Sequence, residues 1–274
     1  ALVETDRRIG DYVHGVIDNP ERHNLYELLA VKRFFHMLDR YEWSPKRVKH
    51  FFRFYQALRF SGINGRTRYK LTPVQAFQFA NIFGFVKPDG RRLIRSVYLF
   101  VPRKFSKTTS SAALAVYDML FGDNNAQAYV GANSYDQAKI CFDEIRAIMF
   151  DLDAGGRHFR VNREKITFLD RGRDSLIQCL TANAKTKDGL FASLVIMDEY
   201  AQARNTAGKN GADLKNVLTT SMGPRREPLV IVITTASEVV DGPFKGELDG
   251  VMAVLRGEKT NDTMFASIFM PDVD

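Results

Sequence analysis

The stretch Ser96-Val97-Tyr98-Leu99-Phe100-Val101-Pro102-Arg103-Lys104-Phe105-Ser106-Lys107-Thr108-Thr109 sets how the remainder of the chain is to be read. Val97 to Val101 is an apolar run of strand length and β-forming composition, and Pro102 breaks it. From Thr109, the run Ser110-Ser111-Ala112-Ala113-Leu114-Ala115-Val116-Tyr117 suits a buried helix that closes near Gly122. Lys107 and Thr108 fall where that helix begins. A helix start behind a strand offers a phosphate its unpaired backbone N–H groups and the positive end of the helix dipole. Lys107 would reach the β- and γ-phosphates of a nucleotide, and the Thr108 hydroxyl would ligate Mg²⁺. The strict pattern G-x-x-x-x-G-K-[ST] has glycine where this chain has Val101 and Ser106. Read alone, a Lys-Thr pair there is an ordinary solvated helix start.

Two further stretches strengthen the reading. Leu194-Val195-Ile196-Met197-Asp198-Glu199 has the form of a buried parallel strand ending in acids, and open α/β sheets bind ligands at such strand ends. Asp198 would bind Mg²⁺ through its water shell, and Glu199 would orient and polarise the attacking water. Pro228-Leu229-Val230-Ile231-Val232-Ile233-Thr234-Thr235-Ala236-Ser237 is another apolar strand, ending in hydroxyls, where helicase-like ATPases place a γ-phosphate-sensing residue. By itself it is equally a core strand followed by a Ser/Thr turn.

Together these stretches resemble the ATPase domain of the large terminase of tailed bacteriophages, the motor that packages DNA into capsids. The similarity covers roughly residues 65–245. Leu71-Thr72-Pro73-Val74-Gln75 resembles the adenine-binding segment, with Gln75 as the adenine reader. Val101 to Thr108 resembles the deviant Walker A loop, with bases at Arg103 and Lys104. Leu194 to Glu199 resembles Walker B with its catalytic Glu, and Thr234-Thr235-Ala236 resembles the coupling motif. Ser106 departs from the family, which usually has glycine before the lysine. The resemblance implies an α/β P-loop NTPase fold, with a mostly parallel central sheet flanked by helices and an N-terminal helical segment.

It further implies ATP and Mg²⁺ as nucleotide and metal. Val101, Pro102, Lys104, Phe105, Ser106, Lys107, Thr108 and Thr109 would cradle the nucleotide. Lys107 and Arg103 would neutralise phosphate charge, Thr108 and Asp198 would hold Mg²⁺, Glu199 would align water, and Thr235, beside Thr234, would report the γ-phosphate. The implied activity is ATP hydrolysis powering translocation of double-stranded viral DNA into a procapsid. The implied assembly is a ring on the portal, with portal protein and small terminase subunit as partners, in the host cytoplasm. A neighbouring subunit would supply a basic residue, for which Lys187 and Arg204 are the candidates. Full-length large terminases carry a nuclease domain, and this sequence ends about where it would start. The expectation is therefore an ATPase domain without DNA cutting. The alternatives are another helicase-class P-loop ATPase, or a non-catalytic DNA-binding or ring-assembly module whose phosphate loop has decayed at Ser106.

The rest of the 274 residues fits this reading. Apolar content is 45% and charged content 26%, ordinary for a globular protein, and a net charge of +7 favours a polyanionic partner. No apolar run approaches membrane-spanning length. Cys141 and Cys179 read as buried free thiols, and the five His show no metal-ligand spacing. The predicted organisation is 1–65 helical, 66–245 ATPase core, and 246–274 a helix and strand leading to the absent domain. Asn19-Pro20 and Ser44-Pro45 are predicted helix starts. The helix from Ser44 mixes bases with Phe51, Phe52, Phe54 and Tyr55. That composition is either a nucleic-acid surface or an amphipathic helix with its aromatics in the core. A long polar loop is expected over 202–213, then a helix from Glu247 to Arg256 and a strand from Thr263 to Met270.

Overall fold

The structure, a computed structural model, describes residues 5–132, 134–170, 172–181, 189–203, 211–235 and 242–270. Helices α1 (Arg7–Asp18), α2 (Leu25–Arg40) and α3 (Pro45–Ala57) come first, and β1 (Glu42–Trp43) lies between the last two. A hairpin of β2 (Phe60–Gly62) and β3 (Gly65–Thr67) leads to α4 (Pro73–Gly84) and β4 (Phe85–Val86). Then follow β5 (Ser96–Phe100), α5 (Lys107–Phe121), β6 (Gln127–Ala132), α6 (Tyr135–Leu152), β7 (Phe159–Val161), β8 (Lys165–Phe168) and β9 (Leu176–Thr181). The chain continues through β10 (Leu194–Asp198), α7 (Gly211–Thr220), β11 (Leu229–Thr234), α8 (Pro243–Leu255) and β12 (Met264–Ile268).

Among the described residues the central sheet has eight strands in the order β12-β5-β11-β10-β6-β9-β8-β7. The strands from β12 to β9 run parallel, and β8 and β7 are antiparallel additions. Every residue of β10 and β12 is buried, as expected of strands covered on both faces. Alternation assigns the faces: Leu194 and Ile196 join the core built with α1 to α6, whereas Val195 and Met197 join Leu214, Leu218 and Phe244 on the α7–α8 side. The fold is thus the expected α/β P-loop architecture.

The α3 helix is amphipathic: Val48, Phe51, Phe52 and Tyr55 are buried, with its bases on the outside. Pro20 differs from expectation. It opens only a short 3-10 turn, and α2 starts at Leu25. There the Asn24 side chain accepts from the Tyr26 and Glu27 N–H groups while Glu27 reaches back to the Asn24 N–H, a reciprocal cap that Asn19 does not make, since its side-chain amide donates to the Gly15 carbonyl at the end of α1. Cys141 and Cys179 are buried free thiols, their ionisation suppressed by burial. The division at 65/66 and 245/246 stands as a proposal about organisation. Packing joins all three stretches, since Ile9 and Phe34 share a core with Phe77, and β12 pairs along β5.

Candidate functional site

The phosphate-loop strand β5 and the acidic strand β10 are not neighbours. β11 lies between them, so the C-terminal ends of the three strands stand side by side. In register, Thr234 is opposite Phe100, and Asp198 is opposite Ile233. The hydroxyls that end β11 therefore fall between the loop after β5 and the carboxylates after β10.

The loop from Val101 to Ser106 starts anchored. Val101 is buried and donates its N–H to the Thr234 carbonyl at 3.0 Å. Pro102, Arg103 and Lys104 are exposed. Phe105 packs its ring against Phe269 at 5.3 Å, tying the loop to the exit of β12. Lys104 and Ser106 adopt left-handed backbone at φ 66° and 58°. That conformation is where glycine has no Cβ to clash, and for other residues it costs about 1–2 kcal/mol. The loop thus keeps the geometry that a glycine would ease, at Ser106's expense. Ser106 caps α5 without a side-chain hydrogen bond, and its carbonyl accepts from the Ser110 N–H at 3.1 Å and the Thr109 hydroxyl at 2.9 Å.

Lys107 opens α5 and crosses to the β10 acids. Its Nζ donates to Glu199 Oε1 and lies 3.9 Å from Asp198 Oδ1. The other Glu199 oxygen, Oε2, accepts from the Thr235 hydroxyl at 3.1 Å and the Thr235 N–H at 3.4 Å. Glu199 is itself left-handed at φ 50°, and its N–H donates to the Ile233 carbonyl and to Asp198 Oδ1, both at 2.9 Å. Thr234 is fully buried and accepts from the Ala201 N–H at 3.0 Å, holding the turn that follows Glu199. The two threonines thus divide the work: Thr234 braces the turn and Thr235 faces the carboxylate.

Asp198 is buried, and burial raises its carboxyl to about 6, against the pull of Lys107 and with a further push from Glu199. A buried carboxylate of this kind suits a cation. Among the described residues no group of three or more His, Cys, Asp or Glu side chains gathers that could hold a metal. Mg²⁺ takes oxygen ligands, with hydroxyl and carboxylate among them. Thr108 and Asp198 fit that set.

Beside the loop opens a cavity of about 450 Å³. Lys104 to Thr109 form one wall, and Tyr55, Tyr69, Lys70 and Gln75 are on the other. Its size suits a nucleotide. Gln75 is buried there, but its Oε1 already accepts from the Thr72 N–H at 3.0 Å and the Thr72 hydroxyl at 3.1 Å, in the cap of α4. The Tyr55 hydroxyl, which lines the same cavity, lies 3.3 Å from the Thr109 hydroxyl. A smaller cavity of about 220 Å³ lies at the opposite, N-terminal ends of the strands, among Arg92, Asp118 and Arg225. Its buried arginines are bonded to the chain's own carbonyls and side chains.

Lys187, Arg204 and Ala236 lie outside the described residues. Sequence reasoning missed Phe269, Tyr55 and Tyr69. It also missed Glu247, which accepts from the Tyr98 hydroxyl at 3.1 Å, the Tyr200 hydroxyl at 2.9 Å, and Lys215. This network ties Tyr200, next to Glu199, to α7, α8 and β5. No local motif marks it, because its four members are far apart in sequence.

The chain is similar to several known proteins. The chain superposes on the large terminase of bacteriophage HK97 with a TM-score of 0.65 and 23% identity, over 83% of this chain and 45% of that one. A looser likeness, at a TM-score of 0.43 and 19% identity, links it to the large terminase ATPase domain of Thermus phage P74-26, over 54% and 62% of the two chains. It is 33% identical over 94 residues to Protein YmfN of Escherichia coli strain K12, which is 34% of this chain and 19% of that protein. The chain thus spans less than half the length of the HK97 terminase and aligns with under a fifth of YmfN. The model of one family, described as the terminase large subunit ATPase domain, matches residues 73–251, from the start of α4 into α8, and the chain belongs to that family.

Proposed function

We propose that this chain hydrolyses ATP with Mg²⁺ and that the hydrolysis drives double-stranded viral DNA into a procapsid. The observation that carries this reading is the bridge at the strand ends: Lys107 on one oxygen of Glu199 and Thr235 on the other. An arriving triphosphate is the stronger anion and competes for Lys107. Lys107 then serves the β- and γ-phosphates with help from Arg103, and Glu199, still held by Thr235, is left to align the attacking water. Thr235 is consequently the group that senses whether Glu199 is engaged by Lys107 or by water. Thr108 and Asp198 would hold Mg²⁺, whose chemistry when bound would be charge neutralisation at the phosphates. The cavity walled by Tyr55, Tyr69 and Gln75 takes the adenine. With its oxygen held in the α4 cap, Gln75 contributes its amide nitrogen.

The working assembly in this proposal is a ring on the portal, with portal protein, small terminase subunit and double-stranded DNA as partners, in the host cytoplasm. Among the described residues no helix is long and apolar enough to cross a membrane. Lys187 and Arg204 are the candidates for the basic residue lent by a neighbour.

The test is Glu199→Gln. The variant should bind ATP·Mg²⁺ like the parent and hydrolyse it about 10²- to 10⁴-fold more slowly, the range lost with a general base. Turnover at the parent's rate would remove Glu199 from the chemistry and overturn the reading.

A further inference from the structure

We propose that the outer face of α3, with the bases just beyond its C-terminal end, is the track on which this chain holds the backbone of double-stranded DNA. The proposal rests on the translocation reading and assigns it a surface.

Helix α3 contains no Asp or Glu. Its buried side is Val48, Phe51, Phe52 and Tyr55. Lys46, Lys49 and Arg53 are exposed on the opposite side, at the i, i+3, i+7 spacing that lines one helical face. At a rise of about 1.5 Å per residue they span about 10 Å.

Several other bases of the N-terminal part are paired with acids or carbonyls, and these three are not. Arg47 is bound to the Gly90 carbonyl and Glu227, Arg66 to Glu144 and Asp151, and Arg33 and Arg40 face Asp262. The acid whose field reaches Lys49, Asp6, is occupied by Arg8. Among the described residues Lys46, Lys49 and Arg53 have no ion pair, nor do the exposed Arg59, Arg68 and Lys70 that follow. Surface cations usually sit among acids that neutralise their field, and three along one helix face that do not, with Arg59, Arg68 and Lys70 following in the sequence, are a footprint for a polyanion.

The surface also has a direction. At its start α3 is tied to Gly84 and Gly90, and Arg47 lines the cavity at the N-terminal ends of β10 and β11, away from the phosphate loop. At its end Tyr55 meets Thr109 of α5, and Lys70 lines the nucleotide cavity. A polyanion on this face therefore ends beside the phosphate loop.

Two features favour duplex nucleic acid. Protein interfaces are centred on apolar or aromatic anchors, and α3 has no exposed large apolar side chain. Single strands are held by stacking on exposed aromatics, whereas Phe51, Phe52 and Tyr55 are buried and Phe54 packs on Tyr117 and Phe121. On the outer face of α3 itself what remains is charge, which is what a duplex backbone requires.

The test compares Lys46→Ala/Lys49→Ala/Arg53→Ala with a control of equal charge at exposed bases elsewhere, Lys32→Ala/Arg160→Ala/Lys259→Ala. Binding of a fluorescent DNA duplex is followed by anisotropy as salt is varied, with nucleotide binding as the check on folding. Each lost phosphate contact lowers the log–log salt slope by about 0.9, so the first variant should lose about 2.7. Between about 200 and 50 mM salt the parent should then gain about 40-fold more affinity than this variant, while the control follows the parent. An unchanged slope in the first variant, or an equal fall in the control, overturns the track and leaves the translocation reading standing. A parent that binds no duplex removes that reading as well. Tighter binding of single strands, or competition by poly-glutamate at the affinity of the duplex, would overturn the assignment to duplex DNA.

Discussion

Ser106→Gly should stabilise this protein, although it shortens a side chain in a loop. Ser106 holds φ 58°, is exposed, and makes no side-chain cap to α5. Its left-handed backbone costs about 1–2 kcal/mol, because Cβ approaches the following carbonyl. Glycine removes that cost but brings about 0.5–1 kcal/mol of additional backbone entropy to the unfolded chain. The net gain is about 0.5–1 kcal/mol, since no side-chain contact is lost. For a chain of this size that is a rise of about 1–4 °C in the thermal midpoint. The assay is thermal unfolding of the parent beside Ser106→Gly, Ser106→Ala and Ser106→Val. Alanine keeps the Cβ and should leave the midpoint nearly where it is, while valine, β-branched in a left-handed site, should lower it. The reasoning would be refuted by a glycine variant that melts at or below the parent, or by alanine stabilising as much as glycine. In the first case Ser106 is not strained; in the second its hydroxyl, and not its backbone, sets the cost.

Three other outcomes are expected. Lys107→Ala should weaken binding of a fluorescent ATP analogue by about 10- to 100-fold, the worth of a hydrogen bond to a charged phosphate, with the melting curve still cooperative; unchanged affinity would remove Lys107 from the phosphate site. Glu247→Ala strips Lys215, 9% exposed, of its carboxylate and should cost about 2–3 kcal/mol in chemical denaturation, less than a fully buried pair because Glu247 keeps some exposure; adding Lys215→Met should recover most of it. Asp118 is raised to about 6 by burial, with the Ser193 hydroxyl, Arg92 and Arg225 opposing and Asp123 reinforcing. A raised carboxyl favours the folded state at low pH, and that advantage is lost as pH climbs from about 4 through 6. Asp118→Asn should therefore match the parent near pH 4 and exceed it by about 1–3 kcal/mol at pH 8, and a difference that is flat with pH would contradict the assignment.

The local elements were written in the sequence. Apolar runs broken by Pro102, by Asp198-Glu199 and by Thr234-Thr235 marked β5, β10 and β11, since strand length, composition and punctuation are short-range properties. The helix after Lys107 and the Thr72-Pro73 start of α4 were equally plain. Position was not. That β11 lies between β5 and β10, and so carries Thr235 to Glu199, is a matter of strand order, which no local pattern records. β12 read as a trailing strand, yet it flanks β5 and anchors Phe105 through Phe269. Gln75 was legible as a site residue but not as the cap of its own helix, because one side chain serves both uses and only the fold chooses its hydrogen bonds. The same holds at Ser106: the sequence showed glycine missing, and only the backbone, held at Val101 and Phe105 by strands distant in the chain, showed serine forced into glycine's conformation. Chemistry that depends on residue type and spacing was determined locally, and the bridge from Lys107 through Glu199 to Thr235 arose only when packing brought three strand ends together.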